Sequence, residues 1–171
     1  MQLAEKVKDT PFIYGIELDF SGHLVPVSSE SGGFFNSKAN QLTWEEIYFG
    51  RKTVSFKETT KTDKRGNTVF SQFLTIKFPS NDFNRANRLA LFFQVRFLKI
   101  LLTNKTSLVF GRNDFYQNKP PAVSISSSER MSSVSFESKS IFPTGFAEIQ
   151  DISQVSDQLL PADLPLTFIN L

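Results

Sequence analysis

Ten residues, VFSQFLTIKF from Val69 to Phe78, alternate so that Phe70, Gln72, Leu74, Ile76 and Phe78 share one face of an extended chain. Val69, Ser71, Phe73, Thr75 and Lys77 share the other. A period of two sustained over that length is a strand with one face in a core, and it commits the chain to β architecture. Val54–Thr60 supplies a hairpin partner across the polar tip KTDKRGN, where Gly66-Asn67 offers the positive φ that such a turn needs. Upstream, Phe12, Tyr14, Ile16, Leu18 and Phe20 alternate with Ile13, Gly15, Glu17 and Asp19, which predicts another half-buried strand. Leu24–Val27 returns as a further strand, with Pro26 placing it at an edge.

Pro79 stops the long strand, and Ser80 or Asn81 caps a helix over roughly 81–95. Phe83, Ala86, Ala90 and Phe93, with Leu89 beside them, form an apolar stripe at helical period, leaving Arg85 and Arg88 for solvent or a partner. LTWEEIY, Leu42–Tyr48, reads either as a short helix started by Thr43, with Glu46 at the capping-box distance, or as a strand. Phe97–Thr103 and Thr106–Phe110 form a hairpin around Asn104-Lys105, because Asn tolerates the left-handed region. Short strands at Ala122–Ser126 and Ser133–Ser138 follow, then a Pro-Thr-Gly turn in SIFPTGF. The expected fold is α+β, mainly β: an antiparallel sheet or sandwich with one packed helix near 81–95. Residues 1–158 form a single β-rich domain. Residues 159–171 form an extended C-terminal arm, since Pro161 and Pro165 oppose a helix.

Composition narrows the chemistry. The chain has 171 residues, 19 of them Phe, with no Cys and 1 His, so its core is built on aromatic rings and needs no disulfide. Thiolate chemistry and cysteine–zinc sites are excluded. His23 follows a turn and has no second histidine to work with, so it reads as an exposed turn residue. Gly32-Gly33 is followed by Phe-Phe and Gly111 has no partner glycine, so no phosphate-cradling loop is present. Asn81-Asp82, Asn113-Asp114 and Asp63 lack the regular spacing of a calcium loop. The expectation is a protein that is not an enzyme and holds no metal and no cofactor. The N-terminal MQLAEKVKDTPF does not read as a signal peptide, and no apolar run is long enough to span a bilayer.

The net charge of +2 conceals a strong pattern. Residues 1–48 carry three lysines against seven acids, residues 49–139 sixteen basic residues against six acids, and residues 140–171 four acids alone. Acidic ends fold over the basic middle, or an acidic tail seeks the basic surface of a neighbour, or the middle faces nucleic acid. Lys57, Lys61, Lys64 and Arg65 make a basic surface on one hairpin. Their aromatic neighbours alternate at strand period, which points the rings inward, and no recognised nucleic-acid motif is present. Nucleic acid is therefore the less favoured partner.

The densest stretch is LVFGRNDFYQNKPPAV, Leu108–Val123. Asn and Asp hold an irregular loop by bonding local backbone, and the double proline forces an extended exit. Phe115 and Tyr116 at the tip, with Arg112, Asn113, Asp114, Gln117 and Asn118 around them, have the composition of a protein interface. Leu164, Leu166 and Phe168 of the arm are the second set of expected contacts.

FLTIKFPSNDFNRANRLALFFQVRFLKILLTNKTSLVFGRNDFYQNKPP, the serine-rich hairpin after it and SIFPTGF resemble small tail-associated or connector-type structural proteins of tailed bacteriophages and prophages, over roughly residues 50–146. The resemblance implies a β-rich subunit assembling with copies of itself and with other virion or tail proteins, and gripping neighbours through loops and termini. It implies no catalytic residues, no membrane, and a location in the virion or, during assembly, in the host bacterial cytoplasm. A different reading stays open: a β-sandwich module binding carbohydrate or another small ligand through Arg112–Asn118.

Overall fold

The alternation at Val69–Phe78 is realised in the longest of the described strands, at an inner position of a four-stranded sheet. The computed structural model of the chain describes residues 11–20, 44–50, 53–79 and 83–148. In chain order the elements are β1 (Ile13–Asp19), β2 (Glu45–Glu46), β3 (Ser55–Thr62), β4 (Thr68–Pro79), α1 (Arg85–Phe92), β5 (Phe97–Leu102), β6 (Thr106–Phe110), β7 (Ala122–Ser127), β8 (Met131–Ser140) and β9 (Phe146–Glu148). One 3-10 turn, Asp114–Tyr116, lies between β6 and β7. His23, the strand expected at Leu24–Val27, and the arm with Leu164, Leu166 and Phe168 lie outside the described residues.

Two antiparallel sheets are formed, in the orders β2-β1-β5-β6-β9 and β3-β4-β8-β7. Their facing rows make one core. Leu74, Ile76 and Phe78 of β4 and Val134 and Phe136 of β8 meet Ile16 and Leu18 of β1, Leu98, Ile100 and Leu102 of β5, and Leu108 and Phe110 of β6. Phe56 of β3 meets Phe110 edge-on at 6.3 Å, a favoured aromatic geometry, across the gap between the sheets. The fold is thus α+β and mainly β, as expected, with one described helix packed beside the sheets.

Three local expectations are corrected. The alternation Phe12-Tyr14-Ile16 is broken by a β-bulge, a register shift between Ile13 and Gly15 on β1. A bulge moves one residue to the opposite face. Ile13 therefore packs on the core, while Phe12 and Tyr14 turn outward. In the β5–β6 turn it is Lys105, at φ 65°, that takes the left-handed conformation. Asn104 instead accepts hydrogen bonds on Oδ1 from the Thr106 N–H and hydroxyl, at 3.2 and 2.7 Å. Of the two readings open for Leu42–Tyr48, its described residues show the strand, as the two-residue β2 paired with β1.

The third correction is the helix. It begins at Arg85 with Asn84 at its N-cap, and the stripe expected inside faces out: Phe83 and Phe93 are exposed, as are Ala86, Leu91 and Ala90. Leu89 and Phe92 face the core, where the Phe92 ring packs on Phe78 at 5.7 Å and on Phe136 at 6.0 Å. Arg88 sits on this inner side, its guanidinium 4.7 Å above the Phe78 ring. Arginine stems are apolar and its planar head stacks on aromatics, so two arginines occupy the face that a binary pattern reserves for hydrocarbon.

This geometry separates two neighbouring phenylalanines. Phe92→Ala is expected to destabilise the fold by about 3–5 kcal/mol, and Phe93→Ala by no more than about 0.5 kcal/mol. Urea denaturation of the two variants measures the difference, and equal losses would contradict the helix orientation described here.

Candidate functional site

The loop that leaves β6 is built from inside. Gly111 stands at φ 117°, where a Cβ would come within 2.8 Å of the Arg96 carbonyl oxygen, so only glycine fits. Arg96, just before β5, donates through Nη1 to the Gly111 carbonyl at 2.8 Å and stacks on Phe97 at 4.0 Å. Burial pulls the Arg96 guanidinium down to about 10, against the nearby Asp19 carboxylate, which works the other way. The backbone N–H of Arg96 also donates to the Asp19 carbonyl at 2.7 Å, so the ends of β1, β5 and β6 are tied at one point.

Beyond Gly111 the polar side chains turn inward. Arg112 and Asn113 are buried, at 2% and 3% exposure. Arg112 Nε donates to both carboxylate oxygens of Asp114, at 3.0 and 2.8 Å, and its guanidinium covers the Phe142 ring at 4.7 Å. Asp114 Oδ2 also accepts from the Ser140 hydroxyl at 3.0 Å and the Ile141 N–H at 3.1 Å. Asn113 Oδ1 accepts from the Lys139 N–H at 3.0 Å, and its Nδ2 donates to the carbonyls of Lys119 and Pro120. Gln117 and Asn118 take left-handed φ values of 56° and 54°, the chain reversal that returns the loop toward Pro120.

Of the seven loop residues expected to form a binding surface, then, Arg112, Asn113 and Asp114 form the frame. Phe115, Tyr116 and Gln117 are exposed on it, and Asn118 is half-buried. Lys139 caps the tip, donating to the Tyr116 hydroxyl at 3.2 Å with its ammonium 5.5 Å from the ring centre. That hydrogen bond raises the Lys139 ammonium above the ordinary lysine value.

A second network straps down the stretch after β8. Glu58 Oε2 accepts from Gln72 Nε2 at 3.0 Å and from the N–H and hydroxyl of Thr144 at 2.8 and 2.9 Å. Gln72 Oε1 accepts from the Ser138 hydroxyl at 3.0 Å, which satisfies a buried amide on an otherwise apolar face. Both networks consume polar groups in holding backbone. Among the described residues no group of three or more His, Asp or Glu side chains is placed to hold a metal ion.

One feature was not legible beforehand. Tyr14, Glu46, Ile47, Tyr48 and Phe49 line an open hollow of about 550 Å³ beside β2. The β1 bulge turns Tyr14 toward it, and the edge position of β2 leaves Glu45, Glu46 and Tyr48 exposed. Nearby, Lys99 is paired with Glu17 at 3.0 Å and lies 5.5 Å from the Trp44 ring centre. Burial raises the Tyr14 hydroxyl above the ordinary tyrosine value, and the Glu17 and Glu46 carboxylates push it the same way. The hollow is aromatic and sits in a negative field. Its lining residues Glu46, Ile47 and Tyr48 fall in Leu42–Tyr48, which the sequence left open between a helix and a strand.

Lys57, Lys61, Lys64 and Arg65 are all exposed, the last three at or next to the β3–β4 tip. Compared with family models, with curated proteins and with solved structures, the chain matches none.

The loop frame makes a direct test. Asp114→Ala leaves the Arg112 guanidinium buried without its carboxylate and is expected to cost about 3–5 kcal/mol. Phe115→Ala, at an exposed tip position, is expected to stay within about 0.5 kcal/mol. Chemical denaturation reads both, and hydrogen exchange at the Ile141 amide, which donates to Asp114, is expected to accelerate only in the first variant.

Proposed function

We propose that this chain is a non-enzymatic structural subunit of a virion or phage-like tail assembly, associating with copies of itself and with other particle proteins. The observation that carries the reading is the exposed apolar surface around α1, where Phe83 before the helix, Leu91 within it and Phe93 at its end are all left in water. A soluble monomer gains nothing by holding two phenylalanines and a leucine in water around one short helix, and such exposed apolar groups mark surfaces that another chain covers. Phe115 and Tyr116 add a second exposed aromatic pair on a loop that is already rigid, so docking there orders little and loses little entropy. Carriage in a virion or tail comes from the resemblance over roughly residues 50–146.

The carbohydrate-module reading draws less support from the loop that suggested it. Arg112, Asn113 and Asp114 direct their hydrogen-bonding groups to Lys139, Ser140, Ile141, Lys119 and Pro120, which takes them from any ligand.

Sedimentation or light scattering across a concentration series tests the proposal. The wild-type chain is expected to form discrete higher-order species, and Leu91→Glu combined with Phe93→Glu to shift them to smaller ones with unchanged circular dichroism. Truncation after Gln158 tests the arm separately and is expected to reduce the assembly too. A wild-type chain that stays monomeric at every concentration would overturn the proposal.

A further inference from the structure

The β3–β4 hairpin is longer than its sheet. β8 pairs with β4 only from Phe70 to Pro79, so Lys61–Val69 projects past the last strand of support, and Lys61 to Thr68 are all exposed. The tip is nevertheless rigid. Asp63 Oδ1 accepts from the N–H groups of Arg65 and Asn67 at 2.8 and 2.9 Å, and Oδ2 accepts from Asn67 Nδ2 at 3.0 Å. Gly66 closes the turn at φ 83°. The hydrogen bonds from Asn67 hold the Asp63 carboxyl below the usual carboxylate range. What it presents outward is Lys61, Lys64 and Arg65.

The hollow lies at the other end of the same sheet's long strand. Ile47 is tied to the first sheet and Gly50 and Thr53 to the second: the Ile47 N–H donates to the Ile16 carbonyl, and the Gly50 N–H and Thr53 hydroxyl both donate to the Lys77 carbonyl, at 3.0 and 2.7 Å. Nine residues of extended chain separate Thr68 from Lys77, about 30 Å at roughly 3.3 Å per residue. The basic tip and the acidic aromatic hollow therefore mark opposite ends of one subunit and cannot meet within it.

We infer that the hollow lined by Tyr14, Glu46 and Tyr48 receives the Lys64–Arg65 tip of a second copy of this chain, joining subunits head to tail. The inference rests on the assembly reading and names one of its contacts. The chemistry matches on both counts. Tyrosine faces attract ammonium and guanidinium groups, and a carboxylate at the rim supplies the charge-assisted hydrogen bond that fixes them. The chain already uses the same device inside itself, seating Lys139 on Tyr116, Lys99 on Trp44, Arg88 on Phe78, Arg96 on Phe97 and Arg112 on Phe142. Glu45 and Glu46 are exposed and make no ion pair with any described residue. At about 550 Å³ the hollow falls in the range of sites that hold a small ligand, which is ample for one or two long side chains.

Charge reversal separates this contact from any other. Lys64→Glu with Arg65→Glu disables the tip, and Glu45→Lys with Glu46→Lys disables the hollow. All four positions are exposed, and unchanged thermal melts confirm that each double variant folds. Each variant alone is expected to shift the assembly to smaller species. Mixing the two is expected to restore larger species in which the variants alternate, since the unaltered tip meets the unaltered hollow and the reversed tip meets the reversed hollow. Carrying all four substitutions in one chain is expected to restore the larger species, with reversed polarity at the contact. Wild-type assembly that persists unchanged in both double variants overturns the inference and leaves the assembly reading standing. A wild-type chain that never assembles overturns both.

Discussion

Everything in this molecule hangs on the closure of two sheets over one row of rings and branched aliphatics, with Phe78, Phe92, Phe136 and Phe110 at its centre. Those four side chains come from β4, α1, β8 and β6, which include both sheets and the helix beside them, so no element forms its buried face alone. At about 25 cal/mol per Å² of apolar surface, each such ring contributes a few kcal/mol when fully buried, a large fraction of the net stability of a domain this size. Without cysteine, these contacts carry the fold.

The polar residues inside that frame have a different task. Arg96, Arg112, Asn113, Asp114, Glu58 and Gln72 hold backbone at the places where the chain leaves the sheets: the ends of β1, β5 and β6, the loop after β6, and the turn after β8. A buried arginine paired with a carboxylate is weak evidence for stability in its own right, because desolvation offsets the attraction. Its value here is geometric. Asp114 accepts from Arg112, Ser140 and Ile141 together, so the position of the loop and that of the end of β8 are one variable. Phe115 and Tyr116 are presented from a platform that does not move independently of the core.

The sequence was most legible where one face of an element met hydrocarbon and the other met water. The β4 pattern translated residue by residue, buried Gln72 included, and the β7–β8 hairpin fell close to its expected limits. Three kinds of feature were hidden. A bulge at Tyr14 reverses the faces of Phe12, Ile13 and Tyr14, while Ile16 and Leu18 keep theirs; the pairing with β5 that it belongs to lies some 85 residues away. The helix carries two apolar stripes, and only the position of the Phe78 ring decides that the one with Arg85 and Arg88 goes inside. Very short edge strands, β2 and β9, hold too few residues for any period to register. In the loop, the residue types were right for a self-bonded structure, but which of them faced inward depended on β8, a partner supplied later in the chain.

Charge at the two ends also restricts how copies can meet. A two-fold pairing through the tips would bring Lys61, Lys64 and Arg65 against their own counterparts, and one through the hollows would oppose Glu45 and Glu46 to themselves. Like charges in contact cost several kcal/mol, so both isologous arrangements are disfavoured before any shape is considered. A heterologous contact between unlike ends suffers no such penalty, and repetition of one heterologous contact generates a ring when the rotation per copy divides a full turn and a filament when it does not. In the head-to-tail assembly proposed above, the Asp63 turn would have a consequence at larger scale. A tip fixed by three hydrogen bonds would set nearly the same rotation at every such contact, and a constant rotation is what lets a ring close at one size.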